Sequence, residues 1–158
     1  MADVPTICKE PNLARYAYHE AGHVVLFEWA GIAVAGGTAT ECGGVVYIDP
    51  ERLETDISND GDLGDYDRPL AAAHLAACCH AGIMAELLYT GRPWDGIIIG
   101  MQSQDWKIAS LILAPHFGAG LVGHGFAQRT ALAVLSEHWP RVEEIADHFI
   151  KCGAWSPQ

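Results

Sequence analysis

Residues 12–31 read Asn12-Leu13-Ala14-Arg15-Tyr16-Ala17-Tyr18-His19-Glu20-Ala21-Gly22-His23-Val24-Val25-Leu26-Phe27-Glu28-Trp29-Ala30-Gly31. Leu13, Tyr16, Ala17, Ala21, Val24, Val25 and Phe27 recur at helical spacing, with Asn12 placed to cap the first turn. The pattern predicts a helix that runs to about Ala30, where Gly31 stops it. Inside it stands H-E-x-x-H. His19 and His23 are four residues apart and share one helical face, so both imidazoles can point at one ion. Glu20 sits beside them, where it can hold and deprotonate a metal-bound water. Zinc needs neutral nitrogen ligands and an open position, and it lowers the pKa of its water to roughly 7. A neighbouring carboxylate then takes the proton as that water attacks a carbonyl.

The flanks are small and apolar, which predicts a buried helix. Two histidines and a glutamate on a buried helix are costly without partners, and a metal supplies them. A third protein ligand is needed. Phe27-Glu28-Trp29 leaves no third histidine shortly after the motif. Glu86, Asp105, His74 and His80 are the downstream candidates, and spacing alone does not choose among them.

Outward from this helix, Ile32 to Ile48 is Gly-rich and β-branched and reads as a short hairpin or small sheet closed by Pro50. Positions 49–67 carry eight acids and one base, the signature of a solvated loop. Part of it, from Asp56 to Asp67, loosely follows calcium-loop spacing, but the last ligand would be Asp rather than Glu and the preceding segment reads as strand, so a solvated loop is the better reading. Arg68 to Thr90 predicts a long helix and 91–102 a loop. A third helix should begin near Ser103 and end before Pro115. Gly118 to Gly125 predicts a flexible connection, and a last helical stretch runs from about Phe126 to Lys151, with Pro140 at a kink or at the first turn of a separate helix. His116 and His124 flank the Gly-rich connection and read as polar surface, although either could reach a metal-bound intermediate. Cys78-Cys79 reads as small buried packing, and Trp94 and Trp106 as residues that pack the Asp105 segment down.

The chain has 158 residues, one domain by size. Nine basic residues against 20 acidic ones give a net charge of −11, which argues against a nucleic-acid partner. Hydrophobic residues make up 50% and charged residues 18%, which excludes intrinsic disorder. The uncharged stretch 108–128 contains Pro115 and several glycines, a poor spanning helix, and the first residues have no signal-peptide character. Five cysteines without a C-x-x-C pair read as a reduced, cytoplasmic pattern.

Ala17-Tyr18-His19-Glu20-Ala21-Gly22-His23-Val24-Val25 resembles the zinc helix of the FtsH-type metallopeptidases, typically HEAGHA. Ala81-Gly82-Ile83-Met84-Ala85-Glu86-Leu87-Leu88-Tyr89-Thr90-Gly91 is similar to that family's GGRxAEExxFG helix. Ser103-Gln104-Asp105-Trp106-Lys107-Ile108-Ala109-Ser110 resembles its S-N-D-L-x-x-A-T segment, and Gly43-Gly44-Val45-Val46 lies where the family has a Gly-containing strand. The order and approximate spacing agree over roughly residues 14–115. The resemblance implies that Asp105 is the third zinc ligand beside His19 and His23, that Glu20 is the general base, and that Glu86 has a supporting or structural role. Two positions depart from the pattern: Ile83 replaces its Arg and Gln104 its Asn. No G-x-x-x-x-G-K-[ST] phosphate loop is present, so the chain reads as the peptidase module without an ATPase.

The expectation is therefore a single, mainly α (α+β) zincin-like domain over 1–158, with a small hairpin or sheet after the H-E-x-x-H helix. Its function would be ATP-independent, zinc-dependent endopeptidase action on peptides or unfolded protein. An edge strand at Val45, Val46, Tyr47 and Ile48 would hold the substrate. A delivery partner or self-association would extend its reach; nucleic acid and membrane are not expected partners. The alternative is a non-catalytic zinc-bound interaction module on the same fold.

Overall fold

A computed structural model describes residues 11–49, 69–100 and 103–158. Among these the chain is mainly helical with a small antiparallel sheet. Helix α1 spans Leu13–Trp29, strands β1 and β2 span Val34–Thr40 and Gly43–Ile48, and helix α2 spans Pro69–Tyr89. Helices α3, α4 and α5 follow at Gln104–Phe117, Val122–Glu137 and Trp139–Cys152, and β3 is Ala154–Trp155.

Helix α1 starts and stops for local reasons. The Asn12 side chain accepts a hydrogen bond from the Arg15 amide at 3.0 Å, satisfying a donor that the first turn leaves open. Gly31 then takes a positive φ of 76°, which ends the helix without a Cβ clash. The chain turns into β1, which pairs with β2 through register partners from Val34↔Ile48 to Thr40↔Gly43, with a bulge between Val34 and Gly36. Strand β3 pairs with Gly37 and Thr38, so the order is β2-β1-β3 and β2 is an outer strand.

Helix α2 is the centre of the molecule and packs against α1, α3 and α4, while α1 also packs on α5 and the sheet. The α1–α2 crossing is close because both faces are small. A Cβ on Gly22 would stand 2.6 Å from the Ala81 carbonyl oxygen and the Ala85 methyl. Close approach lets Leu26, Met84, Leu135, Ile145 and Phe149 fill the core completely. Tyr18 stacks on Tyr89 at 4.2 Å and on Trp139 at 5.6 Å, tying α1, α2 and α5 together at one end. By length and composition α2 could cross a membrane; here its apolar surface is largely buried against the other helices.

Four expectations need correction. Helix α3 runs through Pro115 to Phe117. A proline in the last turn removes only the hydrogen bond to the Leu111 carbonyl, and Leu111 is exposed, so water can take that acceptor. The Gly-rich connection is shorter than expected, because Gly123 and Gly125 lie within α4. A Cβ on Gly123 would stand 3.1 Å from Leu113 and Phe117, so the glycine there permits close packing rather than a bend. Strand β3 is too short to carry periodicity and was not expected. Cys42 is disulfide-bonded, contrary to a fully reduced set, while Cys78, Cys79 and Cys152 are free thiols. Pairing depends on which cysteines the fold brings together, and spacing along the chain does not report that. Pro140 takes the second option foreseen for it, in the first turn of the separate helix α5. The acidic segment, apart from Asp49, and the calcium-like spacing within it lie outside the described residues.

Candidate metal centre

His19 and His23 project from α1 toward the first turn of α3, where Asp105 sits. His23 Nε2 lies 3.3 Å and His19 Nε2 3.5 Å from Asp105 Oδ2, and the two Nε2 atoms are 3.1 Å apart. Of the four downstream candidates, Asp105 is the one that joins the two histidines in a group able to share an ion. Ser103 caps α3, accepting from the Trp106 amide, and places Asp105 in the first turn, where the helix dipole favours a carboxylate.

The outer nitrogens of both rings are committed. His23 Nδ1 is 2.8 Å from the Cys78 carbonyl oxygen, which can only accept, so Nδ1 carries the proton. His19 Nδ1 is 2.9 Å from Glu86 Oε2 and donates likewise. Glu86 is held in turn by Arg15, one helical turn before His19 on α1. This carboxylate–histidine arrangement fixes the ring and makes its free nitrogen a better donor to a metal. Glu86 thus lies outside the His19–His23–Asp105 group and bonds one of its histidines. Arg15 was missed, although its i, i+4 spacing to His19 could have marked it. The Cys78 carbonyl has no sequence signal at all.

With both Nδ1–H bonds spent, two Nε2 lone pairs and a carboxylate converge on one point with no hydrogen between them. Such a cluster requires a proton or a cation. Burial opposes charge on His19, but the bonds to Asp105 and Glu86 outweigh it and its pKa rises to about 9. Burial likewise opposes ionisation of Asp105, and the two imidazoles overcome it, holding the carboxyl well below its usual range. Two imidazole nitrogens and one carboxylate oxygen, with room for a solvent ligand, match the donor set of an open zinc site.

Glu20 is buried at the wall of the same cavity. Burial pushes its carboxyl up from the ordinary range, against the pull of the two histidines. Among the described residues its carboxylate makes no hydrogen bond, so it is available to solvent in the cavity. Gly44 makes room for it: a Cβ there would stand 2.6 Å from Glu20 Cγ.

The cavity has a volume of about 560 Å³. Gly44, Val45, Val46 and Ile48 of β2 form one side and Leu75, Ile108 and Ile112 the other. Three of the four expected substrate-contact residues thus border the site. Tyr47 is not among the lining residues and is exposed. His74 lies elsewhere, edge-on to Trp29 at 4.7 Å. His80 and His124 are buried outside the His19–His23–Asp105 group and bond to each other, so His124 is not the polar surface residue expected.

Compared with protein-family models, with curated proteins and with solved structures, the chain matches none.

Proposed function

We propose that the chain is a zinc-dependent endopeptidase with a zincin-like fold resembling the FtsH-type proteolytic module. The observation that carries this reading is the convergence of His19 Nε2, His23 Nε2 and an Asp105 oxygen, with both Nδ1 atoms bonded elsewhere, beside a buried Glu20 on the same cavity. Bound zinc would polarise a scissile carbonyl and bring the pKa of a coordinated water to roughly 7. His19 Nε2, His23 Nε2 and Asp105 Oδ2 would hold it. A Glu20 carboxylate oxygen, its basicity raised by burial, takes the proton from the attacking water and later delivers it to the leaving amine nitrogen. The outer strand β2 offers backbone groups to an extended peptide, and the apolar cavity wall accepts one of its side chains. Strand addition selects an extended segment, hence a peptide or an unfolded chain.

Glu20→Gln tests this directly. The variant should bind zinc like the wild type and fail to cleave an unfolded protein that the wild type degrades. If zinc-loaded wild type cleaves nothing in a broad peptide library, the non-catalytic zinc module replaces the enzyme.

A further inference from the structure

Helix α3 carries Asp105, yet only Ala109 and Leu113 of that helix are buried. Two buried side chains on a helix of 14 residues are a weak hold for a carboxylate that must sit within roughly half an ångström of its working position. A buried polar chain lies directly beneath. Gln128 on α4 clasps Ile99: its Oε1 accepts from the Ile99 amide at 2.9 Å, and its Nε2 donates to the Ile99 carbonyl at 2.8 Å. The same Nε2 lies 3.3 Å from His80 Nδ1. His80 Nε2 is 2.9 Å from His124 Nδ1, His124 Nε2 is 3.1 Å from Ser110 Oγ, and Ser110 Oγ donates to the Trp106 carbonyl at 2.8 Å.

The direction of every bond in this chain is fixed from both ends. Gln128 can offer His80 only a hydrogen, so His80 Nδ1 accepts and its Nε2 donates to His124. Ser110 spends its hydrogen on a carbonyl, so it must accept from His124 Nε2. Both histidines are then neutral with one tautomer each, and burial lowers the pKa of both, His80 to about 4. The chain begins at the segment that leads into α3 and ends at the residue after Asp105. Trp106 is held three ways: its amide by Ser103, its carbonyl by Ser110, and its indole stacked on His124 at 3.8 Å.

We propose that His80, His124 and Gln128 are positioning residues of the metal centre, a relay that clamps the first turn of α3 and so sets the Asp105 carboxylate against His19 and His23. The proposal rests on the zinc reading above. The alternative role, core packing alone, explains neither the uniform bond direction nor the ending at Trp106.

The test is a His80→Leu/His124→Phe double variant, which keeps apolar volume and the ring on Trp106 but removes both histidine links. Zinc affinity is read by chelator competition, ligand geometry by the visible spectrum of the cobalt-loaded protein, and the fold by circular dichroism of the metal-free protein. The expected result is an unchanged fold, zinc bound about 10-fold more weakly or worse, and altered cobalt bands. His124→Gln, which keeps one donor and one acceptor, should recover most of the affinity. Wild-type affinity and an unchanged cobalt spectrum in the double variant would overturn the proposal. Should the double variant not fold, Ser110→Ala removes the last link at a half-buried position; it should shift the cobalt spectrum in the same sense, and an unshifted spectrum overturns the relay. Wild type that takes up no zinc would instead overturn the metal reading itself.

Discussion

The imidazole of His19 occupies the space that a side chain at position 82 would fill: a Cβ built on Gly82 overlaps the ring. Helix α2 thus presents a bare patch of backbone against which the His19 ring lies flat, while Glu86, one turn further along α2, receives its Nδ1–H. Gly82→Ala should improve the helix propensity of α2 by up to about 1 kcal/mol. It should nonetheless push His19 off the shared point. Zinc affinity measured by chelator competition should collapse while circular dichroism stays helical. Unimpaired binding would show that His19 can be held from elsewhere.

Glu86→Gln keeps an acceptor for His19 but removes the charge that makes its Nε2 a strong donor and that pairs with Arg15. Loss of such a partner typically weakens metal binding by about 10–100-fold. Isothermal titration with zinc should report a drop of that order. A variant equal to wild type would leave Glu86 with a helix-packing role only.

Stability should fall in mild acid through His80. Its folded pKa, about 4, lies below the 6.5 of an unperturbed histidine, because burial and His124 disfavour the charged ring. The stabilisation is therefore complete above pH 6.5 and is lost as the pH falls toward 4, at most about 3 kcal/mol by linkage. Urea unfolding of the metal-free protein at pH 7 and pH 4.5 measures the difference, and His80→Leu should reduce it. A slope that is the same in both proteins would assign the acid sensitivity to other groups.

Phe149 of α5 is fully buried and packs against the backbone of β1 at Gly37, where a Cβ would lie 3.1 Å from its Cζ. Phe149→Ala should cost about 3–5 kcal/mol in denaturant unfolding. Because Phe149 is not among the residues that line the cavity, zinc stoichiometry at low temperature should persist. A cost under about 1 kcal/mol would mean that the α5–sheet contact collapses around the gap.

The helices were legible where their signals are local. Asn12 and Gly31 bound α1, Ser103 caps α3 and Pro140 starts α5, each through chemistry carried by one or two residues. Pro115 and Gly123 misled because their effect depends on what lies opposite: open solvent at Leu111, and the tight face of Leu113 and Phe117. At the site, His19, Glu20 and His23 stand together in sequence, and Asp105 was one of four downstream candidates among which only a resemblance chose. Arg15, the Cys78 carbonyl and the His80–His124 relay were not legible, since each depends on helix pairs packed in three dimensions. The Cys42 disulfide was hidden for the same reason.

The central claim is that His19, His23 and Asp105 hold one zinc ion. Elemental analysis of wild type and Asp105→Ala, purified in parallel and equilibrated with zinc, tests it most directly. The account predicts about one zinc per wild-type chain, as a single open site requires, and a clear loss in the variant. Zinc retained in full by Asp105→Ala would remove Asp105 from the ligand set, and no zinc in either protein would contradict the metal centre altogether.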